Sequence, residues 1–242
     1  MLVRVEHISK SIQKNTILND VSLGIEDYGV IGLLGPNGAG KSTLMKCMVG
    51  LWDFQEGEIE ICGIKSVEKD KRSRIMPHEV TKKTGYLPEL NPLYGDMYVR
   101  EYLRFMQTTA TEGRLHSNES REQQIEELIE KAGLSGMANK RIRELSKGYK
   151  QRVGIAQALT GESEILILDE PTTGLDPNQL IETRELIREL GKTKVVILST
   201  HILQEVKAMC SRVVILAKGE IRYDSTDLSN IEEIFTEKTN HE

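Results

Sequence analysis

Nowhere in these 242 residues does an uninterrupted apolar run approach the ~18 residues that a membrane-crossing helix requires. The N-terminus, Met1-Leu2-Val3-Arg4-Val5-Glu6, alternates like a strand from its start and lacks a signal-peptide apolar region. A role at a membrane would therefore require another chain to supply the spans. Cysteine is scarce. Cys47, Cys62 and Cys210 have neither CxxC nor metal-ligand spacing and read as reduced, mostly buried thiols of a cytosolic protein. A basic excess is also missing: 32 Lys and Arg face 37 Asp and Glu, a net charge of −5. That balance excludes a global positive field drawing the chain to nucleic acid or anionic lipid. Internal repeats and low-complexity linkers are absent as well. What remains, 38% hydrophobic and 29% charged, is the composition of a soluble globular protein with length for one large domain or two small ones.

The apolar pattern changes along the chain. Leu2 to Ile8, Ile17 to Ile25 and Glu58 to Ile61 alternate apolar and polar residues, as half-buried antiparallel strands do. Val30 to Leu34, Ile165 to Leu168, Val195 to Leu198 and Val213 to Leu216 are apolar runs of the kind that strands buried on both faces show. Helices are expected at Leu44 to Leu51, from Asp176-Pro177 onward and at Ile202 to Cys210, with Asp176 as N-cap and Pro177 at N1. Repeated strand–helix–strand units predict an α/β fold with a mostly parallel sheet covered on both faces. About Leu90 to Gly161 the period is helical instead: Val99, Leu103 and Met106 share one face, and Ile125, Leu128, Ile129 and Ala132 another, with Gly133 as C-cap. This block reads as a helical insertion. The charge-rich stretch Lys65 to Lys83 reads first as a solvated surface loop, and second as a membrane- or partner-facing patch.

Three motifs carry chemistry. Gly35-Pro36-Asn37-Gly38-Ala39-Gly40-Lys41-Ser42 fits GxxxxGK[ST] between a buried strand and a helix. Glycines let backbone N–H groups curl around a phosphate, and the helix start adds its dipole at the same point. Lys41 would neutralise β- and γ-phosphate charge, Ser42 would ligate Mg²⁺, and Thr43 continues the cradle into the helix. At Ile165 to Leu168 a buried strand ends in Asp169 and Glu170, next to Pro171. Glu170 there suits orienting or deprotonating an attacking water. Finally, Leu145-Ser146-Lys147-Gly148-Tyr149 opens a helix expected from about Tyr149 to Leu159, and Ser146 with Gly148 makes a second anion site. One nucleotide needs only one cradle, so the second predicts contact with a nucleotide held by another subunit.

These motifs, in this order over nearly the whole chain, resemble the ATP-binding cassette (ABC) family. The resemblance implies a P-loop NTPase fold with a RecA-like, mostly parallel core, an antiparallel β subdomain and an inserted helical subdomain. The whole chain, 1–242, would be one ABC ATPase domain, its core at about 1–89 and 162–242 and its helical part at about 90–161. Asp169 would lie near Mg²⁺, Glu170 would serve as the base, and His201 would donate to the γ-phosphate. Gly174-Leu175-Asp176 would sit at the seam of an ATP-closed, head-to-tail dimer. Gly85-Tyr86-Leu87-Pro88-Glu89, with Asn91-Pro92-Leu93-Tyr94 and the Ser146 motif, is most similar to ABC-2 type exporters, and among these to the gliding-motility-associated members of Bacteroidetes. Four positions, in three places, depart from the family pattern. Glu89 replaces the glutamine that approaches the metal, Lys147 replaces a signature glycine with Tyr149 at the glutamine position, and Ile12 replaces the aromatic that stacks on adenine.

The resemblance implies an ATP hydrolase using ATP and Mg²⁺, peripheral at the cytoplasmic membrane face. A separate transmembrane permease and a second ATPase subunit would be its partners, with nucleic acid not expected. The alternatives are a soluble, non-transport cassette acting on a nucleic-acid, ribosomal or protein assembly, and a nucleotide-binding regulatory module without turnover.

Overall fold

The computed structural model describes residues 1–110, 118–161 and 163–240. Residues 111–117 of the expected helical block, and 162, 241 and 242 of the expected second core segment, lie outside the described residues. β1 (Val3–Ile12) and β2 (Asn15–Ile25) pair antiparallel, Val3 opposite Ile25 and Ile12 opposite Asn15. β3 (Gly29–Leu34) leaves that sheet, and α1 (Lys41–Met48) follows the glycine loop. β4 (Glu56–Ile61) returns antiparallel to β1, and β5 (Ile64–Lys65) completes a four-stranded sheet ordered β2-β1-β4-β5.

The Lys65 to Lys83 stretch is more ordered than a surface loop. β6 (Val67–Asp70) and β7 (Ser73–Ile75) make a small hairpin, and a 3-10 turn at His78–Lys82 leads into β8 (Thr84–Leu87). Every β6 residue is exposed, as the charge predicts, while Ser66, Met76 and Val80 are buried beneath. Segments of three and four residues are too short for their pattern to show.

Beyond β8 come α2 (Val99–Ala110), α3 (Asn118–Lys131) and α4 (Lys147–Ala158). Val99, Tyr102, Leu103, Ile125, Ile129, Val153 and Ala156 pack into one apolar cluster between them. Gly133, at φ 65°, and the Leu134 N–H, which donates to the Ile129 carbonyl (2.8 Å), close α3 in the expected left-handed cap. β9 (Ile165–Leu168), α5 (Pro177–Gly191), β10 (Val195–Thr200), α6 (Leu203–Met209), β11 (Arg212–Ala217), β12 (Glu220–Ser225) and α7 (Ile231–Asn240) complete the chain. The second sheet runs β12-β11-β3-β10-β9-β8, parallel throughout except for β12.

Alternation across this sheet explains its unbroken apolar runs. Ile165, Ile167, Val195 and Ile197 face α1 and the antiparallel sheet, whereas Leu166, Leu168, Val196 and Leu198 face α4 and α5. Each such side chain contributes about 1.5–3 kcal/mol on burial, so neither face of these strands tolerates a polar residue without a partner. Among the described residues no helix is long and apolar enough to cross a membrane. No cysteine is paired; Cys47 is buried and Cys62 and Cys210 half-buried, and burial pushes the Cys47 and Cys210 thiols up to about 12.

Several boundaries move. β1 runs to Ile12 rather than Ile8, because pairing with β2 resumes after irregularities near His7, whose φ of 54° breaks the alternation. α1 spans Lys41–Met48, not Leu44 to Leu51: it starts directly on the loop, and Gly50 at φ 76° turns the chain away. α4 begins at Lys147, two residues before Tyr149. In both helices the first turn is polar, so apolar periodicity detects the helix late.

Candidate functional site

β3 delivers the chain into the glycine loop at the carboxyl edge of the parallel sheet. Gly38 and Gly40 adopt φ of 81° and 107°, a region open to glycine at little cost. Crowding also demands glycine at Gly35, where a Cβ would fall 2.2 Å from the Leu216 carbonyl oxygen. Lys41 folds back over the loop, its Nζ donating to the carbonyls of Gly35 (2.7 Å) and Pro36 (3.1 Å). Burial pushes this ammonium below its ordinary value, and the neighbouring carboxylates of Glu170, Asp169 and Glu89 push it the other way.

Two strands set the acidic pair. Asp169 leaves β9 only 1% exposed, its N–H donating to the Leu87 carbonyl (2.8 Å). Its Oδ1 accepts from Ser42 Oγ (3.0 Å) and Ser199 Oγ (2.6 Å). Ser199, at the end of β10, also accepts the Glu170 N–H (2.9 Å). One hydroxyl thus anchors both acidic residues, a role that sequence reading did not give it. The available signal was a serine directly after the apolar buried run Val195 to Leu198. Glu170 sits at φ 50°, its carboxylate accepting from Thr173 Oγ1 (2.9 Å) and lying 3.0 Å from His201 Nδ1.

Lys41, Ser42, Glu170 and His201 border a cavity of about 590 Å³. Ile12, the loop from Asn37 to Thr43, Glu89, Glu170 and His201 all line it, together with Ile17 and Thr173, which sequence reading had not singled out. That volume suits a nucleoside triphosphate-sized ligand. The remaining expected residues lie elsewhere. Gly35 and Pro36 sit beneath Lys41, and Asp169 sits behind Ser42. Ser146 and Gly148 are not on the cavity wall. They open α4, where the Ser146 side chain caps the Tyr149 N–H (3.4 Å). The two phosphate-type elements of this chain are therefore separate.

The arrangement has the parts of phosphoryl-transfer chemistry: backbone N–H groups and a lysine for phosphate, and a fixed carboxylate with a histidine beside it. Ser42 and Asp169 would hold Mg²⁺ through hard oxygen atoms. Among the described residues no three or more His, Cys, Asp or Glu side chains form a metal cage. Mg²⁺ at such sites takes one or two protein oxygens and completes its shell with phosphate and water, which this donor set fits.

The ABC transporter family model matches residues 18–173. The chain is 34% identical to the lantibiotic transport ATP-binding protein SrtF of Streptococcus pyogenes, covering 97% of this chain and 96% of that protein. It is 33% identical to the Nod factor export ATP-binding protein I of Neorhizobium galegae, covering 97% of this chain and 65% of that one. Among solved structures it resembles MJ0796, an ATP-binding cassette seen as a dimer in a post-hydrolysis state with ADP and Pi. The TM-score is 0.79 at 27% identity, with 92% of this chain and 97% of that chain covered. Sequence, fold and the cavity lined by the glycine loop agree, and this chain belongs to the ABC transporter family as one of its ATP-binding, ATP-hydrolysing cassettes.

Proposed function

We propose that this cassette powers export through a separate membrane permease, docked at the cytoplasmic face. Two cassettes close head to tail over two ATP molecules, and hydrolysis reopens them. The observation that carries this reading is the separation of the phosphate elements. The Gly35–Ser42 loop borders the nucleotide cavity, while Ser146 and Gly148 stand outside it with a helix N-terminus suited to a second chain's phosphate. The dimeric state of MJ0796 supports the same assembly, the name of SrtF supports transport, and that of the Nod factor protein supports export. The finer resemblance to gliding-motility proteins draws no support from these relatives, so the cargo is left unassigned.

In this reading Lys41 and the loop N–H groups grip the β- and γ-phosphates, and Glu170 takes a proton from the attacking water. Ser42 and Asp169, with Glu89 nearby, would hold Mg²⁺, which would supply neutralisation of phosphate charge. His201, held against Glu170, donates to the γ-phosphate and registers its departure. The helical part at about 90–161 carries the response outward. Asn91 Nδ2 donates to the Lys150 carbonyl (2.8 Å), so the Glu89 to Tyr94 segment is tied to the helix that Ser146 opens. Leu90 and Tyr94 on that segment are 92% and 57% exposed, an apolar surface for the permease.

Purified protein is expected to release phosphate from ATP and to co-purify with a membrane protein encoded beside it. Recovery with ribosomes or nucleic acid instead would favour the non-transport alternative. Ile12 allows a narrower check. It is 40% exposed on the cavity wall and offers no π face to a nucleobase. Ile12→Tyr is expected to tighten ATP about 3- to 10-fold by restoring a stacking surface. Calorimetry that returns an unchanged affinity would show that the base does not rest on Ile12.

A further inference from the structure

The start of α4 is already filled. Gln179, in the first turn of α5, inserts its side-chain amide against Ser146 and Gly148. The Gly148 N–H donates to Gln179 Oε1 (3.1 Å), and Gln179 Nε2 donates to Ser146 Oγ (2.9 Å). The fit requires glycine: a Cβ on Gly148 would lie 2.3 Å from that amide oxygen. Gln179 is itself positioned, because the Asp176 carboxylate caps α5 by accepting the Gln179 N–H (3.0 Å). One turn further along both helices, Arg152 and Glu182 form an ion pair, so α4 and α5 are joined by two successive rungs.

We propose that Gln179 is an internal placeholder for phosphate, occupying the Gly148 N–H and covering the Ser146 hydroxyl until a second cassette's ATP displaces it. This rests on the head-to-tail reading above. An amide oxygen accepts a hydrogen bond from Gly148 as a phosphate oxygen does, but it carries no charge. The exchange therefore favours the anion, since charge-assisted hydrogen bonds are roughly twice as strong as neutral ones. Lys147, between Ser146 and Gly148 in sequence, adds positive charge to the bias, and its ammonium lies against Gly174. When the amide leaves, the Arg152–Glu182 pair keeps α4 and α5 together, so the freed Gln179 and the Gly174 to Asp176 segment ahead of α5 move as a unit. The placeholder keeps isolated cassettes from gripping stray phosphate and makes closure depend on two nucleotides arriving together.

Two measurements test this in a Glu170→Gln background. In the ATP-free monomer, Gln179→Ala is expected to speed amide hydrogen exchange at Gly148 by about tenfold, the loss of one neutral hydrogen bond. With ATP, sedimentation is expected to show the same substitution tightening the dimer by about tenfold. Gln179→Glu is expected to loosen it, because a carboxylate holds the Gly148 N–H more strongly and repels phosphate. A merely structural glutamine would weaken the dimer on either substitution. Equal exchange at Gly148 with and without Gln179→Ala overturns the placeholder directly. A dimer that forms in the parent and is not tightened by Gln179→Ala also overturns it. Protein that shows the exchange change but never dimerises with ATP overturns the head-to-tail reading, and the role falls with it.

Discussion

Glu170→Gln is expected to lower ATP turnover by about 10²–10⁴-fold, the usual contribution of a positioned general base. It is also expected to leave the ATP-bound protein as a stable dimer. The substitution keeps the size of the side chain and an acceptor for Thr173 Oγ1, so the local hydrogen bonds survive. What disappears is the negative charge and the basicity at the end of β9. The backbone at this residue does not need relief, because its N–H is held by Ser199 rather than by its own side chain. The carboxylate lies inside the cavity beside His201, and no other cavity-lining carboxylate except Glu89 could replace it. Phosphate release measured with and without the substitution, paired with sedimentation in ATP, checks both halves. Undiminished turnover would remove Glu170 from the role of base. Lost turnover without an ATP-dependent dimer would leave the base standing and remove the head-to-tail assembly.

Gly85→Ala is expected to cost about 2–3 kcal/mol of folding stability, an overpacking penalty that for a chain of this size shifts Tm by roughly 5–10 °C. Gly85 lies in β8, paired with Leu166 of β9, and a Cβ there would fall 1.9 Å from the Ala158 carbonyl oxygen at the end of α4. The obstacle is backbone, so no side-chain rotation relieves it. Either α4 retreats from the sheet or β8 shifts against β9. Both elements bear on the proposed mechanism, since β8 leads to Glu89 and α4 begins at the Ser146 site. Gly136→Ala is the control, because nothing lies within 4 Å of a Cβ at that position. Thermal unfolding of the two variants should therefore differ clearly; equal midpoints would mean that α4 is not held this closely against β8.

The two variants mark different kinds of legibility. Glu170 could be picked out as a candidate from the sequence because its signal is local: four apolar residues, two acids and a proline in one short run. The glycine loop is legible for the same reason, since eight consecutive residues specify a backbone path. Asp176 and Pro177 announced the start of α5 by capping chemistry confined to one helical turn, and Asp176 does cap the Asn178 and Gln179 N–H groups. Gly85, in contrast, is one unremarkable glycine in Gly85-Tyr86-Leu87-Pro88-Glu89. Its constraint comes from Ala158, 73 residues away, and no periodicity reports that distance.

The bridging role of Ser199, and Gln179 altogether, were missed on the same grounds. Ser199 has its meaning only because β10 lies beside β9, which brings its hydroxyl between Asp169 and the Glu170 backbone. Gln179 reads as an ordinary helix residue until α5 is laid against α4. The hairpin within Lys65 to Lys83 escaped because its strands are too short to carry a period.

By itself the sequence determined which kinds of segment this chain contains and which of them are candidates for phosphate chemistry. Alternation, apolar runs, caps and glycine spacing all act within a few residues of one another, where backbone geometry and desolvation leave few choices. The tertiary structure decided which distant groups share an electrostatic environment: Ser199 between the two acids, Glu89 on one cavity wall with Lys41, and Gln179 on the Gly148 N–H and the Ser146 hydroxyl oxygen. Those contacts depend on strand order and helix packing, which follow from burying both faces of the parallel sheet at once and so belong to the whole chain.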